Sequence, residues 1–220
     1  MIGFNTKLEL LHYSKLKNVR KLDFKMIAIV DYGDVCIEKV TEAVKKVTDD
    51  FIISRNEVDI CRCDKIIFAG CGSAAVAMKK IHLLNLYSVL RIVKKPMLGI
   101  GLGMQLMADY STEGNISCLG ILPGTAIKFK PEVNDAEFKG FKKVTYCRSS
   151  ALFNGIEDNT EFYFNNSYYL PNNNLTTSTC QQDFAFCSSM ENENSYAVQF
   201  HPEMSGDAGL TLLKNFIEMK

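Results

Sequence analysis

Apolar positions along this chain follow two rhythms. Short continuous apolar runs alternate with stretches whose apolar residues recur every three or four positions, the patterns of buried strands and one-sided helices. Residues 26–30 (MIAIV) form the first run, and Val35, Ile37, Val40, Ala43, Val44 and Val47 then mark a helical stripe. The same reading predicts short strands at 51–53 and 65–69 and helices at about 74–84 and 87–93. A further strand begins after Lys95-Pro96, runs into the glycine turn at 99–103 and gives way to a helix.

This alternation predicts an α/β domain with a mainly parallel central sheet and helices on both faces, its working site beyond the C-terminal ends of the strands. The glycine-rich segments 70–73 (GCGS) and 99–103 (GIGLG) both fall at such ends. After about residue 115 the pattern changes. Strands around 126–129, 143–147, 161–169, 175–180 and 184–188 are separated by Asn and Ser clusters and read as antiparallel material extending the sheet. A strand at 195–200 leads into His201-Pro202-Glu203, and a helix over 207–219 closes the domain. Residues 26–220 contain no repeat and no linker and read as one domain. Residues 1–25 stand apart as an N-terminal extension that is rich in Lys and Arg. They read either as a poorly ordered segment or mis-placed gene start, with Met26 as the alternative start, or as a basic arm that touches a partner; the first is the simpler reading.

Composition narrows the class. Apolar residues make up 47% of the 220, enough for a sizeable core. Lys+Arg and Asp+Glu are both 25, so no basic surplus points to nucleic acid or an anionic membrane. No apolar run approaches the roughly 18 residues needed to span a bilayer, and no secretory signal is legible, so a cytoplasmic protein is expected. In that setting the eight scattered cysteines are expected to be reduced and mostly buried. Cys61 and Cys63 form the tightest pair, but zinc sites use a longer spacer and more ligands than a chain with only His12, His82 and His201 offers. No metal and no cofactor is expected.

The stretch around Gly101 has the form of a nucleophile elbow, a sharp strand-to-helix turn that lifts one side chain above the sheet. Its middle position should carry Ser or Cys, and here it carries glycine. His201 and Glu203, two residues apart at a strand end, are the base and orienter that an elbow thiol would need. Gly70, Cys71 and Gly72 form a turn whose backbone N–H groups suit an oxyanion. Each has a plainer reading: His201 as a satisfied strand-end histidine, Cys71 as a small buried residue, Gln105 and Glu113 as surface residues.

Taken together, the stretches 26–33 (MIAIVDYG), 68–78 (FAGCGSAAVAM), 95–107 (KPMLGIGLGMQLM), 119–124 (LGILPG), 162–169 (FYFNNSYY) and 196–206 (YAVQFHPEMSG) resemble the class I glutamine amidotransferases. Among these the likeness is to the HisH-type glutaminase subunits of imidazole glycerol phosphate synthase, in family order. The resemblance implies a three-layer α/β fold, glutamine as ancestral substrate, and a HisF-type (β/α)8 barrel as the partner that receives ammonia. It implies that His201 and Glu203 match the catalytic base and its orienter, that Gln105 and Glu113 match glutamine-holding positions, and that Gly70, Cys71 and Gly72 match the oxyanion strand. The departures are equally specific. The family has Cys at Gly101, Pro at Ala69, His at Asn166, Trp near Phe141, Gly-Asn at Val35-Cys36, and Lys at Met204. Glycine keeps the elbow's shape while removing the nucleophile, so the glutaminase step is expected to be lost or impaired. Two further expectations stand beside that one: a non-catalytic scaffold or regulatory paralogue, and an amidotransferase partner in surface-sugar synthesis.

Overall fold

The computed structural model describes residues 26–129 and 138–219; the predicted extension at 1–25 lies outside the described residues. Strand β1 (Ile27–Val30) is buried on both faces because its side chains alternate between two cores. Ala28 and Val30 point into one cluster, Ile27 and Ile29 into the other. The first cluster is roofed by α2 (Glu57–Arg62), α3 (Ala74–Leu83) and α4 (Leu86–Ile92), through Ile60, Ala77, Ile81 and Val89. The second is roofed by α1 (Ile37–Lys45) and α6 (Gly206–Glu218), through Val40, Val44, Leu212 and Phe216. A sheet buried on both faces explains why its strands read as unbroken apolar runs.

Among the described residues the large sheet has nine strands. Around β1 stand β2 (Phe51–Ser54), β3 (Lys65–Gly70), β4 (Met97–Gly101) and β13 (Ser195–Val198), parallel in the order β2-β1-β3-β4-β13. Beyond β13 the sheet continues antiparallel through β12 (Ala185–Asn192), β11 (Thr176–Gln181), β8 (Phe138–Tyr146) and β9 (Glu161–Asn166). The parallel character holds for the half that carries the elbow, and the sheet as a whole is mixed. Aromatic rings fill the lower core of the antiparallel half: Phe138 and Phe186 meet edge to face at 5.2 Å, and Phe162 stacks on Phe200 at 4.2 Å.

Two expectations need correction. The strand foreseen over 161–169 is broken at Ser167; β10 (Tyr168–Tyr169) leaves the large sheet and joins a small one with β5 (Tyr110–Ser111), β6 (Ile116–Ser117) and β7 (Thr125–Lys128). Ser167 lends its carbonyl to the Phe129 N–H at the crossing. The second concerns the cysteines. Cys63, Cys118, Cys180 and Cys187 are buried thiols as expected, but Cys61 and Cys147 are exposed, and Cys36 and Cys71 form a disulfide. That pair is 35 residues apart in sequence and meets only because β1 and β3 are neighbours.

A buried lysine ties the sheet to α6. Lys65 opens β3 and donates to the carbonyls of Phe216, Ile217 and Met219 at 2.6, 2.9 and 2.6 Å. These carbonyls close the last turn of α6, which has no intrahelical donors to offer them.

Candidate active site

The elbow forms where β4 meets α5 (Leu102–Met107). Gly101 ends the strand at φ 60°, ψ −117°, a region that disfavours residues with a Cβ. Its neighbours make the turn as tight as the chain permits. A Cβ on Gly103 would lie 1.9 Å from the Phe68 carbonyl oxygen, and one on Gly99 would lie 2.5 Å from the Met107 sulfur. Glycine at 99 and 103 therefore lets α5 press directly onto β3 and β4.

His201 follows β13 and faces this turn. Its backbone N–H donates to the Tyr163 carbonyl at 2.8 Å, and its carbonyl accepts from Ser205 Oγ at 2.6 Å. Ser205 Oγ in turn accepts from the Tyr163 N–H at 3.0 Å, so β9 braces the His-Pro-Glu turn. On the far side of the ring, Nδ1 meets Glu203 Oε1 at 2.8 Å. Both side chains are almost wholly buried, at 5% and 1% exposure. With Nδ1 engaged by a carboxylate, Nε2 is left facing the elbow, the arrangement by which a carboxylate orients a histidine base. Glu203 Oε2 has no partner among the described residues.

A cavity of about 200 Å³ opens beside His201. Gly70, Cys71 and Gly72 form one wall, and Gln105 and Glu113 another. The structure thus brings five of the expected binding residues together with the histidine, while Glu203 lies behind the ring. Gln105 is held by two hydrogen bonds, from its Nε2 to the Tyr168 carbonyl and to Gln199 Oε1, both at 2.9 Å. Glu113 Oε2 accepts from the Ala74 N–H at 2.6 Å and so caps α3. Asn166 is nine-tenths buried; its Nδ2 donates to the Tyr168 carbonyl at 2.9 Å and its Oδ1 has no partner among the described residues.

Sequence reasoning did not single out Asp34 or Gln199. Gln199 lines the cavity and fixes Gln105. Asp34 Oδ2 accepts from the Cys71 N–H and from the Tyr32 hydroxyl, each at 3.2 Å. An N–H of the glycine loop thus already serves an internal carboxylate. The acidic residue directly after the glycine of the first strand's turn was the legible signal for Asp34. Asp34, Cys36 and Cys71 also bring three donor atoms within 4.8 Å of one another. With the two sulfurs bonded to each other, neither offers the thiolate that a metal needs.

This geometry, a strand–elbow–helix turn, a carboxylate-oriented histidine and a glycine loop around one cavity at the ends of parallel strands, agrees with comparisons to known proteins. A family model for class I glutamine amidotransferases matches residues 28–219, and the chain belongs to that family. Its relatives include HisH subunits of imidazole glycerol phosphate synthase. The subunit from Mannheimia succiniciproducens is 38% identical over 86% of this chain and 98% of its own length. The HisH 2 subunit of Legionella pneumophila is 33% identical over 89% of this chain and 98% of its own. The fold is shared with solved structures of low identity: PurLQS from Thermotoga maritima has a TM-score of 0.65 at 16% identity, covering 87% of this chain and 96% of that one. A structure titled glutamine amidotransferase has a TM-score of 0.66 at 13% identity, covering 86% and 98%.

Proposed function

We propose that this chain is a HisH-type subunit of imidazole glycerol phosphate synthase, in histidine biosynthesis. In this reading it docks on a HisF-type barrel, keeps a glutamine-shaped pocket, and lacks its own glutaminase chemistry. One observation carries the last point: the His201–Glu203 pair is intact and faces Gly101, a residue with no atom to activate. Without a thiolate there is no covalent attack on the glutamine amide, and the remaining groups support only residual rates through binding and polarisation. The barrel then draws on free ammonia, with this chain as scaffold. Val35 and Phe141, 83% and 53% accessible, are exposed apolar residues at positions where the family resemblance has Gly-Asn and Trp. They favour, as a second reading, a barrel partner from another pathway, such as surface-sugar synthesis.

The test is glutamate release by the purified chain with and without a barrel partner. Absence of turnover, with ammonia-dependent synthesis intact in the pair, is the expected result. Robust glutamine turnover that vanishes in His201→Ala would overturn the loss of the glutaminase step. Co-purification from the native cell separates the histidine-pathway barrel from any other.

A further inference from the structure

We propose that the Cys36–Cys71 disulfide is a thiol-exchange lock on the glycine loop beside the cavity, closed when oxidised and opened by low-molecular-weight thiols. The two sulfurs join the turn after β1 to the loop after β3, with Cα atoms 6.1 Å apart. Cys71 is itself part of the cavity wall. Both cysteines are half-buried, so a small thiol reaches them.

The loop is built to move once released. Cys71 stands between two glycines, and a Cβ on Gly72 would meet nothing within 4 Å, so the peptide after Cys71 has open space around it. Among the described residues, Cys71 is tied by the disulfide and by its N–H on Asp34 Oδ2 at 3.2 Å. Asp34 is fixed in turn by the Cys36 N–H at 2.9 Å and the Tyr32 hydroxyl at 3.2 Å. The oxidised loop therefore presents its Cys71 N–H to an internal carboxylate and away from any ligand. Asp34 Oδ1 lies 3.2 Å from Cys71 Sγ, so on reduction the thiol there keeps only a weak hydrogen bond to this carboxylate in place of the covalent bond. Reduction thus leaves Cys71 held by hydrogen bonds alone, and their opening lets the N–H turn toward the cavity.

The exchange is balanced by two equivalents of a monothiol. A thiolate RS⁻ attacks Cys71 Sγ, the Sγ–Sγ bond breaks, and Cys36 leaves as a thiolate that takes up a proton. A second RS⁻ attacks the outer sulfur of the Cys71–S–S–R mixed disulfide, releasing RSSR and a Cys71 thiolate that is protonated. Closure is the reverse, with RSSR as oxidant. Buried Cys118, Cys180 and Cys187 do not compete, since burial raises their pKa to about 11, 12 and 12.

The lock does not depend on the proposed function; only the choice of glutamine as cavity probe does. The experiment uses the full chain treated with oxidised glutathione or with dithiothreitol. Under denaturing, non-reducing conditions a 36–71 cross-linked peptide should be present in the first state and absent in the second, where all eight cysteines are alkylated. Amide exchange of the segment 69–74 should be about tenfold faster after reduction, and equally fast in Cys36→Ser whatever the thiol treatment. L-Glutamine should bind at least about fivefold more tightly to the reduced chain, the value of roughly one hydrogen bond. Eight alkylated cysteines after oxidised glutathione, or loop exchange unaffected by reduction, would overturn the lock. So would a zinc ion held one-to-one by the reduced chain that prevents disulfide formation. If glutamine binds neither state while loop exchange still responds to thiol, the lock stands and the glutamine reading of the cavity falls.

Discussion

The His201 ring occupies the space that a side chain on Gly101 would need. A Cβ there would lie 2.7 Å from Cε1 and 3.1 Å from Nε2 of the imidazole, and 2.8 Å from the Gly70 carbonyl oxygen. The ring and the glycine loop leave no room for a side chain at the elbow. Restoring a thiol is therefore more than adding an atom: the histidine must move back by a few tenths of an ångström or more, and so must the backbone at Gly70.

Gly101→Cys should lose about 1–3 kcal/mol of stability, from its positive φ and these contacts. Gly101→Ala should lose a similar amount. Only the Cys variant should gain glutamate release, because its sulfur would project beside His201 Nε2. Urea unfolding and a coupled glutamate assay check both. Equal activity in the two variants would show that the gain does not come from the thiol.

His201→Ala should destabilise the fold by about 2–3 kcal/mol, since it strips the buried Glu203 carboxylate of its 2.8 Å partner. Glu203→Gln, which keeps one acceptor for Nδ1 and removes the charge, should lose less than half as much. Paired chemical denaturation curves measure the difference, and an unchanged midpoint in His201→Ala would contradict the buried pair.

Gly103→Ala should be among the most damaging small substitutions in the chain. Its Cβ would sit 1.9 Å from a backbone oxygen of β3, which no side-chain rotation relieves, so α5 must lift from the sheet. We expect a loss above about 3 kcal/mol, or insoluble protein. Gly155→Ala is the control: φ is +74° but nothing lies within 4 Å, so only about 1 kcal/mol of backbone strain is expected.

Alkaline pH should weaken the fold through its buried thiols. Burial raises Cys118 to about 11 and Cys180 and Cys187 to about 12, whereas unfolded thiols ionise near 8.5. Above that value the unfolded chain sheds protons that the folded chain keeps. The stabilisation is thus complete below about pH 8.5 and is lost as pH rises toward 11–12. Melting temperatures measured between pH 7.5 and 10 should fall, and Cys180→Ala should flatten the slope. At pH 8, iodoacetamide should label exposed Cys61 and Cys147 well before these three.

The parallel half of the fold was legible because its strands are buried on both sides and end in glycine. Residues 26–30, 65–69 and 97–100 leave little choice of structure, and the elbow followed from glycines at 99, 101 and 103. His201 and Glu203 were legible for the same reason, a strand running into His-Pro-Glu. Less was readable where contact depends on the order of strands in space. Cys36 and Cys71 lie in loops after different strands, and nothing local says that these loops touch. The break at Ser167 is set by β7 pairing with β10, which the alternation of Phe162, Phe164 and Asn166 does not announce. The short helix Glu57–Arg62 went unseen because six residues carry too little periodicity, although Asn56 caps it by accepting from the Val58 N–H at 2.8 Å. The close approach of His201 to Gly101 likewise depends on strands that meet only in space, and no pattern in the chain encodes it.

Strand β13 sits between β4 and β12 and comes later in the chain than every other described strand. Tyr196 alone bridges Leu98 on one flank and Glu191 on the other at its level of the sheet. Without β13 the pairings among the described residues fall into two groups, β2-β1-β3-β4 and β12-β11-β8-β9, with no ladder between them. The strand that joins the two halves is also the one that carries His201 to the elbow, so the integrity of the sheet and the assembly of the site rest on the same few residues.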